Sequence, residues 1–228
     1  MGVGIRAAGE DDRELVVRLL DEAFQDDPVS GWVFPEREYR RTTHHRLMAA
    51  FTDIVLAEGR IDVTEDGTAC ALWLSMPAAD GDGPDGGDGG DGGDGGDGGD
   101  GEDGGDGEDE ADDAVRLRES VDPANARVEE IARLMAESHP ADRAHEYLWM
   151  IGVAPARQGE GLGSALVQHV LDRCDREGLP AYLEASSERS TKLYERLGFT
   201  YADRTLDIPD GPRMWPMWRE PVTGRDRS

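Results

Sequence analysis

Between residues 80 and 113 the chain reads DGDGPDGGDGGDGGDGGDGGDGEDGGDGEDEADD. The run holds 13 Asp, 3 Glu and no base, and no apolar residue large enough to anchor a core. Such a segment cannot bury enough surface to offset the entropy of ordering it, so a disordered loop is expected. Whatever folds must be assembled from 1–79 and 114–222, with the insertion between them. Closing a long loop costs only slowly more as it lengthens, so one domain can tolerate it. Calcium binding by stacked Asp/Gly turns is the functional alternative. That architecture needs a recurring large apolar residue to pack its coil, and the run has none.

The insertion also carries much of the charge. The whole chain of 228 residues has a net charge of −26, and without those 16 acids 34 remain against 24 bases. Only one of the bases, Lys192, is a lysine. Few lysines among many aspartates and arginines resemble the composition of proteins from salt-accumulating halophiles. The acidity argues against nucleic acid or an anionic membrane surface as a partner. No run of about 18 apolar residues is present, and the N-terminus lacks an apolar signal core, so a cytoplasmic protein is expected. Cys70 and Cys174 each lie in an apolar segment and read as buried, reduced thiols.

Outside the insertion, α and β patterns alternate. A short strand at 3–8 precedes an amphipathic helix at 11–24, with Leu15, Val16, Leu19, Leu20 and Phe24 on its apolar face. A second helix lies within 34–59. Residues 60–76 read as two strands around Asp66-Gly67, a hairpin signal. A helix stopped at Pro140 follows the insertion, then a strand at 145–153, a helix from Gly161, a strand at 181–186 and a helix stopped by Gly198. Strands near 199–208 and 213–219 end the pattern. The fold class is α/β (α+β), a mixed central sheet flanked by helices.

Three glycines, Gly159, Gly161 and Gly163, fall between the strand ending at Val153 and the next helix. A strand, a glycine loop and a helix N-terminus together present free N–H groups and the positive end of a helix dipole, which suits a phosphate. A P-loop needs Gly-Lys-Ser/Thr, which is absent, and a dinucleotide fingerprint fits poorly because Leu166 or Ser164 stands at its last glycine position.

The segment VAPARQGEGLGSAL resembles the pyrophosphate loop of the GNAT N-acetyltransferases, pattern Gln/Arg-x-x-Gly-x-Gly/Ala, with Gln158, Gly161 and Gly163 filling it. LYERLGF at 193–199 resembles the second signature of that family. EAFQDDPVSGWVFP, ALWLSMP, PAYLEASSERS and GPRMWPMWREP are similar to the puromycin N-acetyltransferase branch. The resemblance implies one GNAT domain in two parts: 1–79 with the acceptor-site helices and 114–222 with the acetyl-CoA site, separated by the 80–113 insertion.

It also implies a direct transfer of acetyl from acetyl-CoA to an amine, in a gap between the strands at 145–153 and 181–186. Ile151, Gly152 and Val153 are expected to meet the pantetheine. Gln158, Gly159, Glu160, Gly161, Leu162, Gly163 and Ser164 are expected to hold the pyrophosphate, and Ser187 and Ser190 to contact CoA. Glu160 departs from the family, which usually has a base there, and Arg157 is placed to compensate. Tyr194 is the expected acid, since a neutral phenol can hydrogen-bond or protonate the departing thiolate. For the base, Glu184 ranks ahead of Glu146 and His145. Phe24, Asp27, Trp32 and Phe34 form an acidic and aromatic set for a small cationic amine, although such aromatics equally serve as core. No metal is expected, and the chain reads as a monomer or homodimer. Peptide N-acetylation and non-catalytic acyl-CoA sensing are the rival functions.

Overall fold

A computed structural model describes residues 2–79 and 105–222. Alternating apolar and turn-forming residues produce a mixed sheet whose strands are β1 (Ile5–Ala7), β2 (Arg60–Thr64), β3 (Ala69–Met76), β4 (His145–Val153), β5 (Ala181–Ala185), β6 (Thr200–Tyr201), β7 (Leu206–Asp207) and β8 (Arg213–Arg219). The spatial order is β1-β2-β3-β4-β5-β8-β6, with β7 paired to β8. The expected hairpin joins β2 and β3, its turn fixed by Gly67 at φ 65° and by the Thr64 and Thr68 hydroxyls on Asp66.

Helices cover both faces. On one lie α1 (Arg13–Phe24), α2 (Pro28–Val33), α3 (Arg37–Glu58), α4 (Gly105–Val121) and α5 (Ala126–Ser138); on the other lie α6 (Leu162–Glu177) and α7 (Glu188–Arg196). The first core joins Val16, Leu20, Phe34, Met48 and Val128 to Leu72 of the sheet. The second joins Leu166, Val167, Val170 and Leu171 to Leu183 and Met217. Each face therefore receives one apolar stripe from its helices, at the three-and-four spacing of α1 and α6.

Helix α4 begins inside the acidic run. Residues 80–104 lie outside the described residues, but 105–113, expected as loop, open helix α4. Ala114, Leu117 and Val121, spaced by three and four, give α4 an apolar stripe, with Ala114 and Val121 buried against α3 and α5.

Two features of the central strands position the site. β4 runs antiparallel to β3, but Leu72 opposes Met150 and Trp73 opposes Leu148, leaving Trp149 as an extra residue. That bulge changes which edge of β4 each residue addresses. Before it, Glu146 N–H donates to Pro180 carbonyl on the β5 side; after it, Ala154 N–H donates to Thr68 carbonyl on the β3 side. Second, β4 and β5 run parallel but pair only at Glu146 with Ala181 and Tyr147 with Tyr182. Beyond that rung the two strands part.

Candidate functional site

The parted strands form a cleft with polar backbone along one wall. Alternation from Ala154 directs the backbone groups of Ile151 and Val153 toward the open edge. Gln158 Nε2 reaches the Val153 carbonyl at 3.4 Å, tying the following loop to the strand end. Gly152, between them, addresses β3 instead. A Cβ there would meet Leu20 Cδ2 at 3.2 Å and Leu19 O at 3.3 Å, so this glycine lets α1 lie close on the sheet.

At the end of β4 the chain turns through Pro155–Arg157 into the glycine loop. Gly159 and Gly161 hold φ of 85° and 84°, a region L side chains rarely enter, and a Cβ on either would meet nothing within 4 Å. Their freedom serves backbone shape and access rather than packing. Gly161 caps α6, whose first bond runs from Ala165 N–H to Gly161 carbonyl. The amides before Ala165 are left for another acceptor. Leu162, by contrast, sends its side chain into the second core. Glu160 is ion-paired to Arg157 Nε at 2.8 Å, and the same guanidinium reaches Asp66 at 3.0 Å. The carboxylate at the cradle is thus neutralised by its neighbour, and the loop is tethered to the β2–β3 turn.

Tyr194 is buried on α7, against Phe199 and the end of β5. Burial pushes its phenol above the ordinary tyrosine range, and the nearby Asp27 carboxylate adds to this. Asp27 caps α2: its Oδ1 accepts from Val29 N at 2.9 Å and Ser30 N at 3.2 Å, while Oδ2 accepts from the Ser186 hydroxyl just past β5. Burial raises the Asp27 carboxyl, and those three donors oppose the rise. Ser187 and Ser190 form a capping box at the start of α7, each hydroxyl bonded to the other residue's backbone N–H.

Glu184 stands in a different environment. Its side chain is only 2% exposed, two residues beyond the last β4–β5 pair. Burial pushes its carboxyl up to about 7, against the opposing pull of the Tyr147 and Tyr182 hydroxyls, and its Oε1 has no hydrogen-bond partner. The imidazole of His139 faces Oε1 with Nδ1 at 4.0 Å. Tyr147, Tyr182, His139, His145 and Trp218 stack around it as an aromatic wall. Glu146 is held elsewhere, by Arg173 at 2.9 Å and the Ser75 hydroxyl.

Residues 129–199 match the family model described as the acetyltransferase (GNAT) family. The structure as a whole resembles that of a protein from Corynebacterium glutamicum described as histone acetyltransferase HPA2 and related acetyltransferase, with a TM-score of 0.65, 24% identity and 98% of both chains covered. The fold is that of the GNAT acetyltransferases. Arylalkylamine N-acetyltransferase 2 from Aedes aegypti has the same GNAT fold, at TM-score 0.66 and 13% identity over 96% of this chain and 99% of the other. In sequence, an uncharacterized N-acetyltransferase of Schizosaccharomyces pombe is 37% identical over 79 residues, covering 34% of this chain and 32% of that protein. A mycothiol acetyltransferase of Kineococcus radiotolerans is 40% identical over 70 residues, covering 29% of this chain and 22% of the other. The chain thus spans a third or less of the length of these curated relatives.

The expected acceptor set divides. Asp27 lies at the cleft, but Trp32 and Phe34 do not line it. Phe34 is wholly buried and Trp32 nearly so, because the Pro28 start of α2 turns both rings into the first core; Phe24 packs on the edge of that core. Two partners were not read from sequence: Ser186, whose link to Asp27 spans 159 positions, and His139. An Asp-Pro step before a short apolar run is a signal that could have revealed α2 and its capping Asp27. Among the described residues no cluster of His, Cys, Asp and Glu could hold a metal ion, and no helix is long and apolar enough to cross a membrane. Both cysteines are free and buried, with burial pushing Cys70 up to about 12.

Proposed function

We propose that this chain transfers an acetyl group from acetyl-CoA to a primary amine on a small molecule. One observation carries the reading: the cleft beyond the Tyr147–Tyr182 rung runs from open backbone groups on Ile151 and Val153 to the left-handed glycines capping α6. That is a cradle for an extended amide-bearing chain ending in phosphates. Acetyl-CoA, when bound, supplies the activated thioester. Ile151 and Val153 take the amides of the chain, and the N–H groups from Gly161 to Ser164 take the pyrophosphate. Gln158, Gly159 and Glu160 shape the loop, and Ser187 and Ser190 shape the helix facing it.

On the acceptor side, Asp27 attracts the cationic amine, and Glu184 takes its proton through water. An open lone pair and a pKa near neutrality suit Glu184 to that task. Tyr194 donates a hydrogen bond to the sulfur as the thiolate leaves. Its raised pKa favours sharing the proton over surrendering it. The similarity of residues 22–35 and 211–221 to the puromycin N-acetyltransferase branch supports a small-molecule acceptor, and so does the closed aromatic wall behind Glu184.

Gly161→Val tests the cradle. It forces a β-branched residue into a left-handed position where no side chain is displaced. CoA affinity measured by calorimetry should fall at least about tenfold, while thermal unfolding shifts by no more than the strain of one residue. Unchanged affinity would remove the pyrophosphate site. A panel of aryl amines, polyamines and N-terminal peptides, assayed by thiol release, then separates small-molecule from peptide acceptors.

A further inference from the structure

Around Glu184 the hydrogen-bond donors and acceptors can be assigned one by one. His145 Nδ1 lies 2.8 Å from the Arg143 carbonyl, which only accepts, so that nitrogen carries a hydrogen. Burial pushes the His145 ring down from its usual range, so the ring is neutral near pH 7 and its Nε2 is a bare lone pair. His139 Nε2 sits 3.1 Å from that lone pair and must therefore carry a hydrogen of its own. Burial and His145 push His139 down to about 4, so it too is neutral, and its Nδ1 is bare. That bare nitrogen faces Glu184 Oε1. Two lone pairs cannot bond each other, so a hydrogen bond between them needs a proton on Oε1.

We propose that His139 is the positioning residue of Glu184: held in its Nε2–H tautomer by His145 and the Arg143 carbonyl, it offers Nδ1 as acceptor to the protonated Glu184 carboxyl. The inference rests on the reading of Glu184 as the base and adds what sets its working pH. The 4.0 Å separation closes to hydrogen-bond reach with a movement of about 1 Å. Tyr147 of β4 and Tyr182 of β5 are the other polar groups facing Glu184, and both donate to its charged form. Asp142, Arg143 and Glu146 act on His145 from the flanking chain, and Trp218 of β8 covers its ring. Arg204 donates to the Ser138 carbonyl and acts on Tyr182; the two tyrosines and the backbone N–H of Glu184 itself favour its anion, while burial and the bare nitrogen of His139 favour the acid.

In a reaction cycle, the amine proton ends on Glu184 Oε1 and is shared with His139 Nδ1 until it exchanges with solvent. No charged histidine is needed at any point. Removing the bare nitrogen with an apolar ring of similar size takes that support from the acid and leaves the pull of the tyrosine donors on the carboxylate.

Two measurements on the full chain test this. With 15N-labelled histidine, ring NMR between pH 6 and 8 should show His139 neutral and protonated on Nε2, and His145 neutral and protonated on Nδ1. The opposite tautomer on either ring, or titration of His139 near 6.5, overturns the assignment. Separately, His139→Phe should move the acidic limb of kcat down by about one pH unit, with kcat above pH 8 changed less than about threefold. A folded H139F protein with an unmoved limb also overturns it. If H139F fails to fold, the tautomers decide alone. If no amine is acetylated by the wild type, the proposed function fails, while the tautomers and a 13C titration of Glu184 still report on the proton.

Discussion

Asp27 and Glu184 are both buried carboxylates on the same side of the cleft, yet they are wired differently. Asp27 receives three donors: two amides at the start of α2 and the Ser186 hydroxyl. Glu184 has an oxygen without any hydrogen-bond partner and a histidine lone pair facing it. Burial raises both carboxyls; three donors oppose the rise at Asp27, whereas at Glu184 the two tyrosine hydroxyls leave the carboxyl at about 7. The same functional group thus holds a helix start in one place and carries a proton in the other. Position in the fold decides this: Asp27 caps a helix, and Glu184 projects from a strand just after it loses its neighbour.

The sharpest break of that comparison is to remove each acid in turn. Glu184→Gln should lower kcat by about 10²–10⁴-fold and abolish the acidic limb near pH 7, whereas Asp27→Asn should keep the limb and raise the amine KM. pH profiles of both variants check it; a limb that vanishes with Asp27 instead exchanges the two roles. Tyr194→Phe should cost about 10²-fold in kcat with little change in acetyl-CoA KM, because the hydroxyl acts on the leaving group. Turnover near wild type would remove Tyr194 from the chemistry.

Stability should separate the two acids as well. The Glu184 carboxyl titrates at about 7 when folded against an ordinary 4.5, so the native state holds the proton longer than the unfolded chain. Stability from this group is therefore intact below about pH 4.5 and falls as pH rises through 7. Urea unfolding of Glu184→Gln should show a gain of up to about 3 kcal/mol over wild type at pH 8 and none near pH 4. Asp27→Ala should instead lose about 1 kcal/mol, the worth of a helix cap, at both pH 6 and pH 8.

Legibility from sequence followed the range of the contacts involved. The strand at 145–153, the glycine loop and α6 were readable because periodicity and glycine act over neighbouring residues. So was the pair of parted strands, through the resemblance. Helix α4 was hidden because its first turns belong to a low-complexity acidic run, and its stripe of Ala114, Leu117 and Val121 is meaningful only against α3 and α5. Trp32 and Phe34 looked like lining because composition cannot tell which way a short helix turns its rings. Of the Glu184 surroundings, the residue itself was visible. The bare nitrogen opposite it depends on a chain of contacts through His139, His145 and the Arg143 carbonyl, which no spacing encodes.

The extra residue at Trp149 gives β4 a reading frame. Ahead of it, even-numbered backbone groups address β5; behind it, odd-numbered ones do. Were Trp149 paired in regular alternation, with the bulge ironed out, the strand would keep its residues and apolar character yet swap the two edges for everything downstream. Gly152 would then offer its amide to the cleft, and Ile151 and Val153 would spend theirs on β3. In coding terms the bulge is the frameshift that brings the ligand-facing edge into frame with the cleft. Deleting Trp149 itself would restore regular alternation and leave Ile151 and Val153 on the cleft edge, so the frame depends on how residue 149 is accommodated rather than on its side chain.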